Sequence, residues 1–107
     1  MAKFTIYDLE QRVRSRSHAN AEESYTRKLL DKGVAHCAKK LGEEAMETVI
    51  AALQGEREPL VGESADLIYH LLVLLKSRGV RFEDVEAALA QRTSMSGLEE
   101  KASRKKD

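Results

Sequence analysis

Apolar residues recur along most of this chain at the three- and four-residue intervals of an α-helix. Ile6, Leu9 and Val13 form the first stripe, with Arg12, Arg14 and Arg16 beside it. The polar stretch HANAEE, residues 18–23, reads as a connection. Ser24 can then cap a short helix reaching Lys32, with Tyr25, Leu29 and Leu30 as its apolar contacts and Gly33 as its stop. From Val34 the repeat is sustained through Cys37 or Ala38, Leu41, Ala45, Thr48 or Val49, Ala52 and Leu53, and Gly55 ends it. Pro59 suits the first position of a helix that continues from Leu60 to Lys76. The centre of that helix, Leu67–Leu75, is apolar almost all round, interrupted by His70. Such a segment belongs in the middle of a bundle or at a dimer interface. After Gly79, Phe82, Val85, Ala88 and Leu89 mark a last short amphipathic helix.

No segment alternates with the period of a strand. The pattern therefore predicts an all-α fold, a bundle of four or five helices around one core. One domain is expected over residues 1–93, followed by a polar, loosely ordered tail over 94–107.

Composition supports helix: Ala, Leu, Glu, Lys and Arg abound, while Trp is absent and Pro occurs once. At 107 residues the chain holds a single domain of modest burial, which pairing with a second copy would augment. Cys37 is the only cysteine, so neither an internal disulfide nor a cysteine-only zinc site is available, and a reducing cytoplasm is the natural setting. The opening MAKFTIYDLEQR lacks the apolar core of a signal peptide. The nine residues Leu67–Leu75 are too few to span a bilayer, which takes about 20, so no membrane partner is expected.

Net charge is zero but unevenly spread. Residues 1–40 hold nine Lys/Arg against five Asp/Glu, residues 41–75 one against seven, and residues 76–107 eight against six. An acidic middle cannot serve as a nucleic-acid footprint. Flanked by basic segments, it suits a metal cage with phosphate-binding neighbours, although solvated helix faces would give the same totals.

The arrangement of the acids favours the cage. Glu44 and Glu47 stand three residues apart on the long helix, and Glu63 and Asp66 three apart on the next. Each pair shares one helical face, and short connections make consecutive helices antiparallel neighbours. Four facing carboxylates repel unless a cation lies between them. Oxygen ligands without a convergent His or Cys suit a hard ion, Mg²⁺ first and Mn²⁺ next. A di-iron site would require ExxH motifs, and none exists. Mg²⁺ held in this way grips substrate phosphates, neutralises charge and acidifies a bound water, which suits hydrolysis at phosphorus. Lys39 and Lys40, one turn before the glutamates, and Arg14, Arg16, Lys28 and Lys32 are candidate phosphate contacts. No Gly-rich phosphate loop is present.

The segments Ser24-Tyr25-Thr26-x-Lys28-Leu29-Leu30, Lys39-Lys40-Leu41-Gly42-Glu43-Glu44-x-x-Glu47 and Glu63-x-x-Asp66-Leu67-x-Tyr69-His70-Leu71-Leu72 together resemble the phosphoribosyl-ATP pyrophosphohydrolases, over roughly residues 5–92. The two acidic pairs alone are shared with the wider MazG-type all-α NTP pyrophosphohydrolases, and the SYT and DLxYHLL segments narrow the choice. The resemblance implies a fold that forms a homodimer through its central helices. It also implies a small-molecule nucleotide substrate: phosphoribosyl-ATP would be cleaved to phosphoribosyl-AMP and pyrophosphate, the second step of histidine biosynthesis. On this sequence Glu44, Glu47, Glu63 and Asp66 match the family's metal-binding acids. Glu43 matches an adjacent acidic position from which it could orient or deprotonate water, so the catalytic candidates are Glu43 and Glu44. Ser24, Tyr25, Thr26 and Lys28 match a stretch near the substrate, with Lys39 and Lys40 as further substrate contacts. His70 is expected as a core or interface residue. Two rivals differ in kind: a house-cleaning dNTP pyrophosphohydrolase with the same site, and a non-catalytic helical dimerisation module whose acids are only surface.

Overall fold

Thr5 and Asp8 close the start of the first helix, α1 (Ile6–Arg16), by reciprocal capping. The Asp8 amide donates to Thr5 Oγ1, and the Thr5 amide donates to Asp8 Oδ2 at 2.8 Å. This computed structural model describes residues 2–20, 24–94, 97, 101–102 and 104, and the remainder of the expected tail lies outside them. The expected connection 18–23 likewise falls partly outside, at residues 21–23. The short second helix, α2 (Tyr25–Asp31), starts at Ser24, whose Oγ accepts from the Arg27 amide and donates to the Arg16 carbonyl. One hydroxyl thereby starts α2 and ties it to the end of α1.

Two 21-residue helices, α3 (Val34–Gln54) and α4 (Arg57–Ser77), form the centre. Only Gly55 and Glu56 separate them. Gly55 sits at φ 84, the left-handed region in which a Cβ is strained, and this turns the chain back on itself at once. α4 starts at Arg57, so Pro59 is its third residue and not its first. The correction has a plain cause. None of the first four amides of a helix has a partner within it, so a proline without N–H costs nothing one turn in. The last helix, α5 (Phe82–Thr93), runs four residues past Leu89. Among the described residues no strand occurs, in agreement with the all-α expectation.

Val13, Leu29, Cys37, Leu72 and Val73 are the buried centre, with Ile6, Leu9, Leu30, Tyr69, Leu74, Leu75 and Phe82 packed around them. Helices α1, α2, α3 and α4 all contribute, and α4 supplies more of this set than any other helix, as its apolar run implied. A buried carboxylate holds α5 in place. Arg81 gives that helix no side-chain cap, but Glu10 of α1 accepts from the Phe82 amide at 2.7 Å. The Arg81 guanidinium stands 3.9 Å from the same oxygen, and the Tyr7 ring meets Phe82 edge-on. The opposite side of the central pair is less covered. Met46, Val49, Ile50 and Leu53 of α3, and Val61 and Ile68 of α4, are exposed, Leu53 at 82%.

Candidate active site

The tight turn fixes the register of the acids. Glu47 and Glu63 both lie eight residues from Gly55, and Glu44 and Asp66 both lie eleven. In an antiparallel hairpin, equal distances from the turn put residues at equal heights. Carboxylate oxygens of Glu44, Glu63 and Asp66 accordingly lie within 4.8 Å of one another. Glu47 is the fourth acid, exposed as Asp66 is, and close enough to raise the pKa values of both Glu44 and Glu63.

The cluster is only partly wet. The Glu44 side chain is 13% exposed, and Glu63 Oε2 is buried with no hydrogen-bond partner. Burial, and then the charges of Glu47 and Asp66, push the Glu44 carboxyl above its ordinary value. Burial also pushes Glu63 upward, followed by its contact with Glu47. An unpaired buried carboxylate oxygen among like charges is costly. A hard divalent cation removes both costs, and an all-oxygen donor set is what such an ion takes. The residues present fit the ion expected of them.

Two further side chains shape the cluster. Thr48 Oγ1 donates to the Glu44 carbonyl at 2.8 Å and lies 3.2 Å from the Glu63 carbonyl on the facing helix. It bridges α3 and α4 at the height of the acids. His70 is buried, with Nε2 3.8 Å from Glu44 Oε1. Burial, and then the Lys40 charge, hold its pKa below the usual histidine value. The His70 ring meets Tyr69 and Tyr25 edge-on, and Tyr25 stacks on Tyr69. Tyr25 is half exposed beside the cluster.

The residues expected at the substrate separate into two groups. Tyr25, Lys28 and Lys40 line an open groove of about 230 Å³ between α2 and α3, together with Leu29, Lys32 and His36. Ser24 is buried as the cap of α2. Thr26 is 1% exposed and hydrogen-bonded to the Tyr69 hydroxyl at 2.6 Å, which locks α2 against α4. Lys39 is exposed and does not line the groove. Glu43 is outside the three-acid cluster, 3.5 Å from Lys40. Thr48 and His36 were not singled out by the pattern. The available signals were a hydroxyl one turn after Glu44, and a histidine one turn before Lys40 on the same face.

Residues 6–93 match the family model described as phosphoribosyl-ATP pyrophosphohydrolase. The chain is 65% identical over 107 residues, the whole of both chains, to phosphoribosyl-ATP pyrophosphatase 1 of Rhodopseudomonas palustris. It is 66% identical over 105 residues to phosphoribosyl-ATP pyrophosphatase 1 of Bradyrhizobium diazoefficiens, covering 98% of this chain and 99% of that one. A third similar protein, phosphoribosyl-ATP pyrophosphatase of Sinorhizobium medicae, is 55% identical over 104 residues and 97% of each chain.

Proposed function

Since this chain belongs to the phosphoribosyl-ATP pyrophosphohydrolase family, we propose that it hydrolyses phosphoribosyl-ATP to phosphoribosyl-AMP and pyrophosphate, the second step of histidine biosynthesis, with Mg²⁺ held by Glu44, Glu63 and Asp66 and with Glu47 beside them. The observation that carries the metal is the buried, unpartnered Glu63 Oε2 inside a cluster of like charges. When bound, the ion supplies Lewis-acid stabilisation of charge on the phosphates and a more acidic water. Mn²⁺, with the same preference for oxygen, is the expected substitute.

The chain's own groups have separate tasks. Glu44 is steadied against the buried His70 and presents its carboxylate to the cluster. Glu43, solvent-exposed beside the cluster, takes the proton from the attacking water. Tyr25, Lys28 and Lys40 meet the substrate along the groove. Ser24 and Thr26 act on the substrate side by fixing α2, and Lys39 adds positive charge nearby.

A homodimer through the central helices is part of the same reading. It is supported by the exposed apolar row of Met46, Val49, Ile50 and Leu53 with Val61 and Ile68, since a second copy would cover it. No described helix is long and apolar enough to cross a membrane. A cytoplasmic setting agrees with a buried, reduced Cys37.

The test is pyrophosphate release from phosphoribosyl-ATP beside a panel of dNTPs, with magnesium or with chelator. Release is expected from phosphoribosyl-ATP alone at useful rates, and only with the metal. Faster turnover of a dNTP would move the chain to the house-cleaning class, and no release from either would leave the dimerisation module. Thr48→Val keeps the volume of the side chain and removes the bridge between the two carbonyls. Groups that hydrogen-bond a ligand side chain directly are worth 10–100-fold in metal affinity or activity, and Thr48, which acts on the backbone of two candidate ligands, belongs at the low end. Calorimetry should find magnesium bound about tenfold more weakly, with stability lowered by about 1 kcal/mol.

A further inference from the structure

The groove between α2 and α3 has a polarity that the hydrolytic step alone does not require. Along α3, His36, Lys40 and Glu44 follow at four-residue intervals and share one face. With a rise of 1.5 Å per residue, Lys40 stands about 6 Å and His36 about 12 Å from Glu44 along the helix axis. On the facing side α2 presents Lys28 from its body and Lys32 from its C-cap, with Tyr25 at the end nearest the acids. Basic groups therefore run continuously from the edge of the acidic cluster to a point two turns away. Among the described residues Leu29 and Tyr25 are the only apolar walls. A purine would want more apolar and aromatic surface than that, and a single phosphate monoester would not extend over two turns. An unesterified diphosphate carries the charge that matches, and although it is shorter than the run, the long lysine side chains close on it from both helices.

We propose that this groove receives the two terminal phosphates of the substrate, the part that leaves as pyrophosphate, with Lys32 and His36 as binding residues at its far end. The nucleoside then extends from the cluster in the opposite direction. This orientation rests on the phosphohydrolase reading of the acidic cluster, and it adds which side of the scissile bond lies over α2. The lysines give the leaving group its charge partners along the groove, and the His36 ring offers it a hydrogen bond at the far end. Lys40 stands 3.5 Å from Glu43, a solvated pair of small worth that a phosphate can displace. Among the described residues neither Lys28 nor Lys32 forms an ion pair with a carboxylate, leaving their charge for a ligand.

The experiment uses inorganic pyrophosphate with magnesium as the probe, titrated calorimetrically into the full chain, its Lys32→Met and His36→Asn variants, and Asp66→Asn as a metal-site control. Both groove positions are on the surface, and unchanged helicity and Tm confirm that the variants are folded. Each variant is expected to bind pyrophosphate about tenfold more weakly, as for a charge-assisted contact partly screened by water. Inhibition by phosphoribosyl-AMP should be unchanged in the same variants. Unchanged pyrophosphate affinity in both, or weakened phosphoribosyl-AMP inhibition with pyrophosphate unaffected, overturns the assignment, and the second result places the nucleotide end in the groove. Pyrophosphate binding is read without turnover. A wild-type protein that binds pyrophosphate through Lys32 and His36 but releases none from phosphoribosyl-ATP would therefore remove the substrate and leave the groove. Normal turnover with groove-independent pyrophosphate binding would do the reverse.

Discussion

An Asp66→Asn protein is expected to release pyrophosphate from phosphoribosyl-ATP about a thousandfold more slowly than wild type, while being at least as stable without metal. Asn preserves the volume of Asp66 and one oxygen, so the hairpin has no steric reason to change. What is lost is a negative charge placed opposite Glu44. The ion that the proposed site would hold contributes several kcal/mol to charge stabilisation in phosphoryl chemistry, and each 1.36 kcal/mol is tenfold in rate, hence about three orders of magnitude. Stability moves the other way because Asp66 is among the charges that push the Glu44 and Glu63 carboxyls upward. Removing it relieves repulsion in the metal-free protein. Steady-state kinetics and urea unfolding on the same preparation test both halves. Activity above a tenth of wild type would remove Asp66 from the site, and a loss of stability would make its role structural.

The second large effect is thermal. At a magnesium concentration a hundredfold above its Kd, mass action adds about 2.7 kcal/mol to folding. For a domain of this size that corresponds to a rise in Tm of about 10 °C. The rise should depend on pH with a definite sign. Glu44 and Glu63 bind protons more tightly folded than unfolded, their folded values lying above the ordinary 4.5. In the metal-free protein, the stability these two groups contribute is therefore fully present with both protonated and is lost as pH rises from 4.5 through the raised values. Magnesium must displace those protons, so its stabilisation grows over the same window and vanishes near or below pH 4.5. Scanning calorimetry from pH 4 to 8, with magnesium or with chelator, resolves this. A magnesium effect equal at pH 4 and pH 8 would show that the ion binds elsewhere.

How much of this was legible beforehand differs by element. The helices followed from spacing, because each must bury one stripe, and the glycines at 33, 55 and 79 mark their limits. The acidic constellation was legible too, since it is local: two i, i+3 pairs on consecutive helices joined by a short turn. Pairing across that turn then needs only a count of residues from Gly55. Side chains that act between distant elements could not be read in this way. Glu10 is one acid among many until α5 arrives with an uncapped first turn. Thr48 occupied a place in the apolar repeat, and its hydroxyl acquires a purpose only when the Glu63 carbonyl lies opposite. Lys39 and Lys40 are neighbours in sequence but point about 100° apart on a helix. Only the position of α2 decides which of them faces the groove. The same applies to Ser24 and Thr26. Sequence likeness marks them together with Tyr25, but alternate directions along the chain turn two of the three inward.

The two-residue turn between α3 and α4 also bears on the order in which the molecule comes together. Every acid of the cluster lies between positions 44 and 66, so the acidic cluster itself, unlike the groove beside it, depends on no contact more distant in sequence than that. Low separation of this kind favours fast formation, because little loop entropy is lost before the contacts are made. The same span that carries the chemistry can thus pair before α1 and α5 have found their places.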